Sequence, residues 1–203
     1  MFIISSYLII FIFIFEKYQC INWINKIGKL NHKFKNFDKN QKYFYIRRFV
    51  NYTTVASYLA LLSSLYTIIY SKLPDSYFMV LVWNQTFTIT LGYWLVVFPE
   101  LLKSDEPKNY LLDFMQHGPV IVLYTYNISN ISNISNYNNL FSINDLIHSI
   151  LFGYFYLFFI WMPYNLITDD TIYHSMNGNW INKLLTISQI NLLCIIGHII
   201  GYL

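Results

Sequence analysis

The run FVNYTTVASYLALLSSLYTIIY, residues 49–70, holds 22 residues without a Lys, Arg, Asp or Glu. A helix needs roughly 20 such residues to cross the hydrocarbon of a bilayer. Its polar residues gather at the start, as Asn51, Thr53, Thr54 and Ser57, and Ala56, Ala60 and Ser64 then recur every four residues. Small residues at that spacing form one helix face on which a second helix packs closely. The run therefore reads as a membrane-crossing helix with a packing seam.

The same reading extends along the chain. Residues 77–98 and 146–167 are also free of charged residues, as are 184–203, and 110–126 is interrupted only by Asp113. Residues 1–15 are uncharged too, but at about 1.5 Å per residue such a helix is short for a bilayer, so the first span is predicted to extend past Glu16, over about 2–19. A cleaved signal peptide is the alternative there, although a basic start and a small-residue cleavage site are missing. Only 11% of the 203 residues are charged and 56% are hydrophobic, where a soluble domain carries about a quarter charged residues. The fold class expected is all-α, a polytopic membrane protein with a single domain. It is expected to be a six-helix transmembrane bundle with spans at about 2–19, 49–70, 77–98, 110–126, 146–167 and 184–203.

Charge sets the expected orientation. Nine of the thirteen Lys and Arg residues fall within Lys17–Arg48, and 127–145 has none. Cytoplasmic loops carry the basic excess, so the loop 20–48 is placed in the cytoplasm, and 127–145 outside or in a lumen. The basic loop suits anionic lipid headgroups; RNA binding through the interleaved Tyr43, Phe44 and Tyr45 is the lesser reading, and no nucleic-acid partner is expected. The tract NISNISNISN (127–136) offers Asn-Ile-Ser acceptors at Asn127, Asn130 and Asn133, or is a low-complexity tract without a role. An endomembrane such as the endoplasmic reticulum, or the plasma membrane, is the expected location.

Soluble-enzyme signatures are missing: the chain has no Gly-rich phosphate loop, nucleophile-elbow serine or zinc-protease motif. Cys20 and Cys194 form no metal or redox motif, and no cofactor is expected. Asp169, Asp170 and His174 lie close together without the rigid spacing of a metal site. Candidates for chemistry are then the polar residues within the spans, which are costly to place there. In DFMQHGP (113–119), Asp113 and His117 are four apart and share a helix face. A carboxylate so placed fixes which imidazole nitrogen is free as a base, while Pro119 loosens the helix. The bland alternative is an interfacial Asp113 capping the helix, with His117 satisfied by a neighbour. Thr53 and Thr54 stand at a comparable depth in the parallel second span, and a threonine hydroxyl beside a histidine can act as a nucleophile. His198, in GHIIG (197–201), reads as incidental to a helix-packing face.

RFVNYTTVASYLALL (48–62), DFMQHGP (113–119), and GYFYLFFIW (153–161) with TIYHSM (171–176) resemble, in that order, the second, fourth and fifth spans of the androgen-induced-gene family of membrane hydrolases. The resemblance covers about three-quarters of the chain. It implies a six-span fold and hydrolysis of fatty acid esters of hydroxy fatty acids by an intramembrane threonine and histidine. Carried over, the histidine is His117 and the threonine is Thr54. Tyr173 is followed by His174 where the family has proline, and the basic and Asn-rich loops are additions. Helical phase favours Thr53 instead, because it shares the face of Ala56, Ala60 and Ser64. The function expected is an intramembrane threonine hydrolase taking lipid esters from the bilayer, with Asp113 orienting His117. The alternatives are a small carrier or proton-coupled transporter using Asp113 and His117 as a relay, and a non-catalytic scaffold.

Orientation is open to direct test. A glycosylation reporter placed within 127–145 should be modified and one within 20–45 should not; modification of the second alone would show the inverse topology.

Overall fold

Asn51 fixes where the first long helix begins. Its backbone is extended and its side-chain oxygen accepts the Thr53 N–H at 3.1 Å, which satisfies one of the donors that a helix start leaves open. The structure is a computed structural model that describes residues 10, 14, 50–103, 114, 117, 118, 124, 140–168 and 179–203. Among these, α1 spans Tyr52–Tyr70 and stops at Ser71, which is left-handed with φ 51°. Next, α2 (Ser76–Gly92) runs without a break into a π-helical turn, π1 (Tyr93–Val97), and then α3 (Phe98–Lys103). The fifth predicted span is built the same way, from α4 (Ile143–Phe155), π2 (Tyr156–Trp161) and α5 (Met162–Thr168). The last helix is α6 (Trp180–Tyr202).

All regular structure among the described residues is helical. Four of the helices are long and apolar enough to cross a membrane: Tyr52–Tyr70, Ser76–Val97, Ile143–Ile167 and Trp180–Tyr202. The other two predicted spans, 2–19 and 110–126, lie outside the described residues except for Ile10, Ile14, Phe114, His117, Gly118 and Tyr124. The basic loop 20–48 and residues 127–139 of the Asn-rich loop lie outside them too. Two helices begin earlier than their apolar runs, because capping chemistry and not hydropathy sets the start. Ser142 and Asp145 form a reciprocal capping box ahead of α4, and Asn179 accepts from Asn182 N at 3.0 Å ahead of α6.

The burial pattern is inverted relative to a soluble domain. Leu62, Ile69, Leu151, Phe159, Leu166 and Leu184 face outward, whereas Asn84, Gln85, Thr86 and Thr88 of α2 are buried. Lipid solvates apolar side chains as well as a protein interior does, so helices associate through close packing and hydrogen bonds. The central element is α2, with α1, α4 and α6 against it. Ala60, Ser63, Ser64 and Thr67 are the buried face of α1 that meets it. Asn84 Nδ2 donates to Ser149 Oγ at 2.8 Å, and Gln85 Nε2 donates to the Ser149 carbonyl at 2.9 Å. Tyr52 OH closes the link to α1 by donating to Gln85 Oε1.

His198 is part of this network, which corrects the reading of it as incidental. Nε2 lies 2.9 Å from the Phe141 carbonyl and Nδ1 lies 3.2 Å from Asn84 Nδ2. A carbonyl only accepts, so Nε2 carries the proton and Nδ1 accepts from the amide. The flanking glycines do pack closely, but against rings. At Gly197 an added Cβ would stand 2.6 Å from the Phe87 ring, and at Gly201 it would run into Phe141 and Trp83. Trp83 Nε1 also donates to the Gly197 carbonyl at 2.8 Å, an approach that a side chain at 197 would spoil.

The described residues of the fourth predicted span dock on α2. Tyr124 is buried, its hydroxyl donating to the Met79 carbonyl at 3.3 Å and lying 3.2 Å from Ser63 Oγ. His117 stacks on Tyr93. The direction from His117 to Tyr124 thus opposes α2 and parallels α1, which brings the start of α1 and His117 to the same end of the bundle.

Gly201→Ala should destabilise the protein by about 1–3 kcal/mol, the usual cost of overpacking, because Phe141 is held by its turn and by Trp83. Gly92→Ala should be neutral, since its added Cβ meets only Leu193, at 3.6 Å. Thermal unfolding in detergent compares the two, and equal losses would contradict this packing.

Candidate functional site

The spans leave a cavity of about 360 Å³ at the end of the bundle where α1 begins. That volume is within the range of small-molecule sites, roughly 300–1,000 Å³. Its wall is drawn from the start of α1, the end of α2 with π1, the α4–π2 junction, the middle of α6, and His117. Polar groups on the described wall are amides and hydroxyls, among them Asn51, Thr53, Thr88, Gln189 and Asn191, set among apolar residues such as Val96, Leu157 and Ile190.

Asn51 caps α1 and so puts Thr53 in its first turn, on the cavity lining. Thr53 is the second residue of α1, half-buried, and its hydroxyl makes no hydrogen bond among the described residues. Its backbone is held at both groups: the N–H by the Asn51 cap and the carbonyl by Ser57 Oγ at 2.9 Å. Position also matters electrically, since the first turn of a helix carries partial positive charge. The first helical bond is Val55 N–H to the Asn51 carbonyl at 3.1 Å, so the Thr54 N–H has no intrahelical acceptor.

His117 is buried and clamped by the π1 turn. Its imidazole stacks on the Tyr93 ring, with centroids 3.7 Å apart and planes 5° from parallel. Its carbonyl accepts from Trp94 Nε1 at 3.1 Å. A π turn is wider than an α turn, is rare, and is frequent at functional sites. Here it lets successive residues, Tyr93 and Trp94, both reach one histidine. Imidazole Nδ1 is sealed from solvent and has no hydrogen-bond partner among the described residues.

The structure brings Thr53 and His117 onto one cavity wall. Thr54 is buried at 3% exposure and is not on that wall. Asp113 lies outside the described residues, as do Asp169, Asp170 and His174. Among the described residues there is no group of three His, Cys, Asp or Glu that could hold a metal, and Cys194 is a buried free thiol.

Sequence reasoning missed Tyr93, Trp94, Tyr156 and Trp161. A chain with 36 Phe and Tyr residues offers no way to single out four aromatics. Glycines were the available signal. Gly92 and Gly153 sit inside predicted spans and both line the cavity. A Cβ at Gly153 would meet only the Tyr52 hydroxyl, at 3.7 Å.

Gly153→Ala should therefore fold as the wild type does, while Gly153→Leu should fill the cavity and weaken binding of a fluorescent long-chain acyl probe at least tenfold, about 1.4 kcal/mol. Equal affinity of both variants would show that the probe binds elsewhere. Comparison with protein-family models, with curated proteins and with solved structures finds no match to this chain.

Proposed function

We propose that this protein is an intramembrane hydrolase of lipid esters, with Thr53 as nucleophile and His117 as base. The observation that carries the proposal is the shared wall: the Thr53 hydroxyl, free of hydrogen bonds among the described residues, and the His117 ring line one cavity inside a helical membrane protein. The resemblance to the androgen-induced-gene family supports the reaction class and the use of a threonine with a histidine. It favours Thr54, but a nucleophile has to touch its substrate, and burial away from the cavity argues against that residue. The finer architecture proposed is a six-span bundle of the endomembrane or plasma membrane, with 20–48 in the cytoplasm against anionic headgroups.

In this reading each group has one task. Thr53 Oγ attacks the acyl carbonyl carbon while His117 Nε2 takes the hydroxyl proton. The C–O bond to the alcohol breaks, the imidazolium returns the proton to the departing oxygen, and an acyl-threonine remains. Water then attacks the acyl carbon, His117 accepts its proton and passes it to Thr53 Oγ, and the carboxylic acid leaves. The net change is ester plus water to acid plus alcohol. Negative charge developing on the carbonyl oxygen is met by the positive end of α1 and by the Thr54 N–H, as in an oxyanion hole. Asp113 is assigned the role of orienting the imidazole.

A carrier is the second reading, and one observation favours it: π1 and π2 interrupt two spans on the same cavity, and interrupted helices also mark transporter sites.

His117→Ala should lower turnover of a long-chain ester by roughly 10²–10⁴-fold, the usual contribution of a general base. Thr53→Ala should abolish both turnover and labelling by a serine/threonine-directed activity probe, and Thr54→Ala should retain labelling. If the Thr53, Thr54 double alanine variant is labelled as well as wild type, the hydrolase reading is wrong and the carrier reading replaces it.

A further inference from the structure

Both π-helical turns open with a tyrosine: one packs on the His117 ring, and the other bonds the chain just ahead of α1. Tyr93 is the first residue of π1 and Tyr156 the first of π2. Tyr93 lies parallel to the His117 imidazole at 3.7 Å. Tyr156 is buried, its hydroxyl donates to the Val50 carbonyl, and its ring packs on Tyr52 with centroids 4.5 Å apart. Val50 precedes the Asn51 cap, and the cap in turn receives the Thr53 N–H. The Tyr156 hydroxyl is therefore one tie on the chain that leads into α1 and Thr53, beside the Tyr52 bond to Gln85. Both tyrosines line the cavity.

We propose that Tyr93 and Tyr156 are paired positioning residues: Tyr93 sets the plane of the His117 ring by stacking, and Tyr156 sets the Thr53 hydroxyl by tethering the chain ahead of α1. The inference rests on the hydrolase reading. The two roles use different parts of the same side chain, and this gives them opposite signatures. Stacking needs the ring and not the hydroxyl, whereas the tether needs the hydroxyl and not the ring. Each residue sits at a π turn because a wider turn lets the helix deliver an aromatic to a neighbouring span while continuing across the membrane. A helix that had to unwind to do so would expose backbone groups to lipid.

The test is kcat and KM for a fluorogenic long-chain ester on the full chain in lipid nanodiscs, with four variants beside wild type. Tyr93→Phe, which keeps the stacked ring, should retain at least about tenfold more kcat than Tyr93→Leu. Tyr93→Leu should lose kcat on the order of a hundredfold, the effect of misplacing a reacting group by about 1 Å, with KM within about twofold. Tyr156→Phe, which keeps the ring, should lose kcat to a similar extent, and Tyr156→Leu should be no better. NMR of the histidine-labelled protein supplies a readout independent of turnover. The ring-current shift of the His117 protons should persist in Tyr93→Phe and vanish in Tyr93→Leu. If His117→Ala and Thr53→Ala are inactive while Tyr93→Leu or Tyr156→Phe keeps wild-type kcat, the positioning proposal falls and the hydrolase reading stands. The proposal also falls if Phe and Leu are equally damaging at 93, or if Phe is harmless at 156. If His117→Ala and Thr53→Ala themselves turn over normally, the hydrolase reading falls and takes the proposal with it.

Discussion

A buried amide in a membrane protein has to find its partners within the bundle, and in this protein Asn84 and Gln85 on α2 impose that condition on almost everything else. Asn84 engages Ser149 of α4 and His198 of α6. Gln85 engages the Ser149 backbone and Tyr52 of α1. Two adjacent residues thus fix the rotation of three neighbouring helices about the central one. An average interhelical hydrogen bond in a membrane protein contributes only about 0.6 kcal/mol. Its weight here is in specificity, because any rotation that strands an amide in hydrocarbon carries a far larger cost. Apolar packing cannot do this, since lipid competes equally well for an exposed leucine.

That constraint also shapes the cavity. Tyr52 is bound by Gln85 on one side and packed on Tyr156 on the other, so the first turn of α1 is held to the core and to π2 together. The polar network therefore ends at the residue next to Thr53. Further along the lining of the same cavity, Tyr93 and Trp94 hold His117 against the end of α2. A rigid interior and a shaped cavity are adjoining parts of one arrangement. The nucleophile proposed, Thr53, stands in the first turn of α1, where backbone donors and partial charge are available. The central stretches of the helices are spent on the network and offer no such groups.

The small residues take their meaning from the same geometry. Ala60, Ser64 and Thr67 admit α2 close to α1. Gly197 and Gly201 admit rings: Phe87 at one, and Phe141 with Trp83 at the other. Gly92 and Gly153 do neither; with nothing closer than 3.6 Å to an added Cβ, they leave the space that the cavity occupies. Three uses of one residue type are indistinguishable from the spacing of glycines along the chain.

The sequence by itself determined that the described residues are helical and include segments long and apolar enough to cross a membrane. Uninterrupted apolar runs such as 49–70 and 146–167 leave no other way to satisfy the backbone in a bilayer. Helical phase also grouped Ala56, Ala60 and Ser64 on one face of α1, and all three are buried. Tertiary structure alone decided that His198 is a working member of the core, that Thr53 and not Thr54 opens on the cavity, and that Tyr93 stacks on His117. Those facts depend on which helices touch and at what rotation. The contacts join residues 23 to 114 positions apart, and no local pattern encodes that distance. The π turns were the least legible feature: Tyr93–Val97 and Tyr156–Trp161 look like ordinary apolar helix, and only the packing of neighbouring spans shows why the turn widens there.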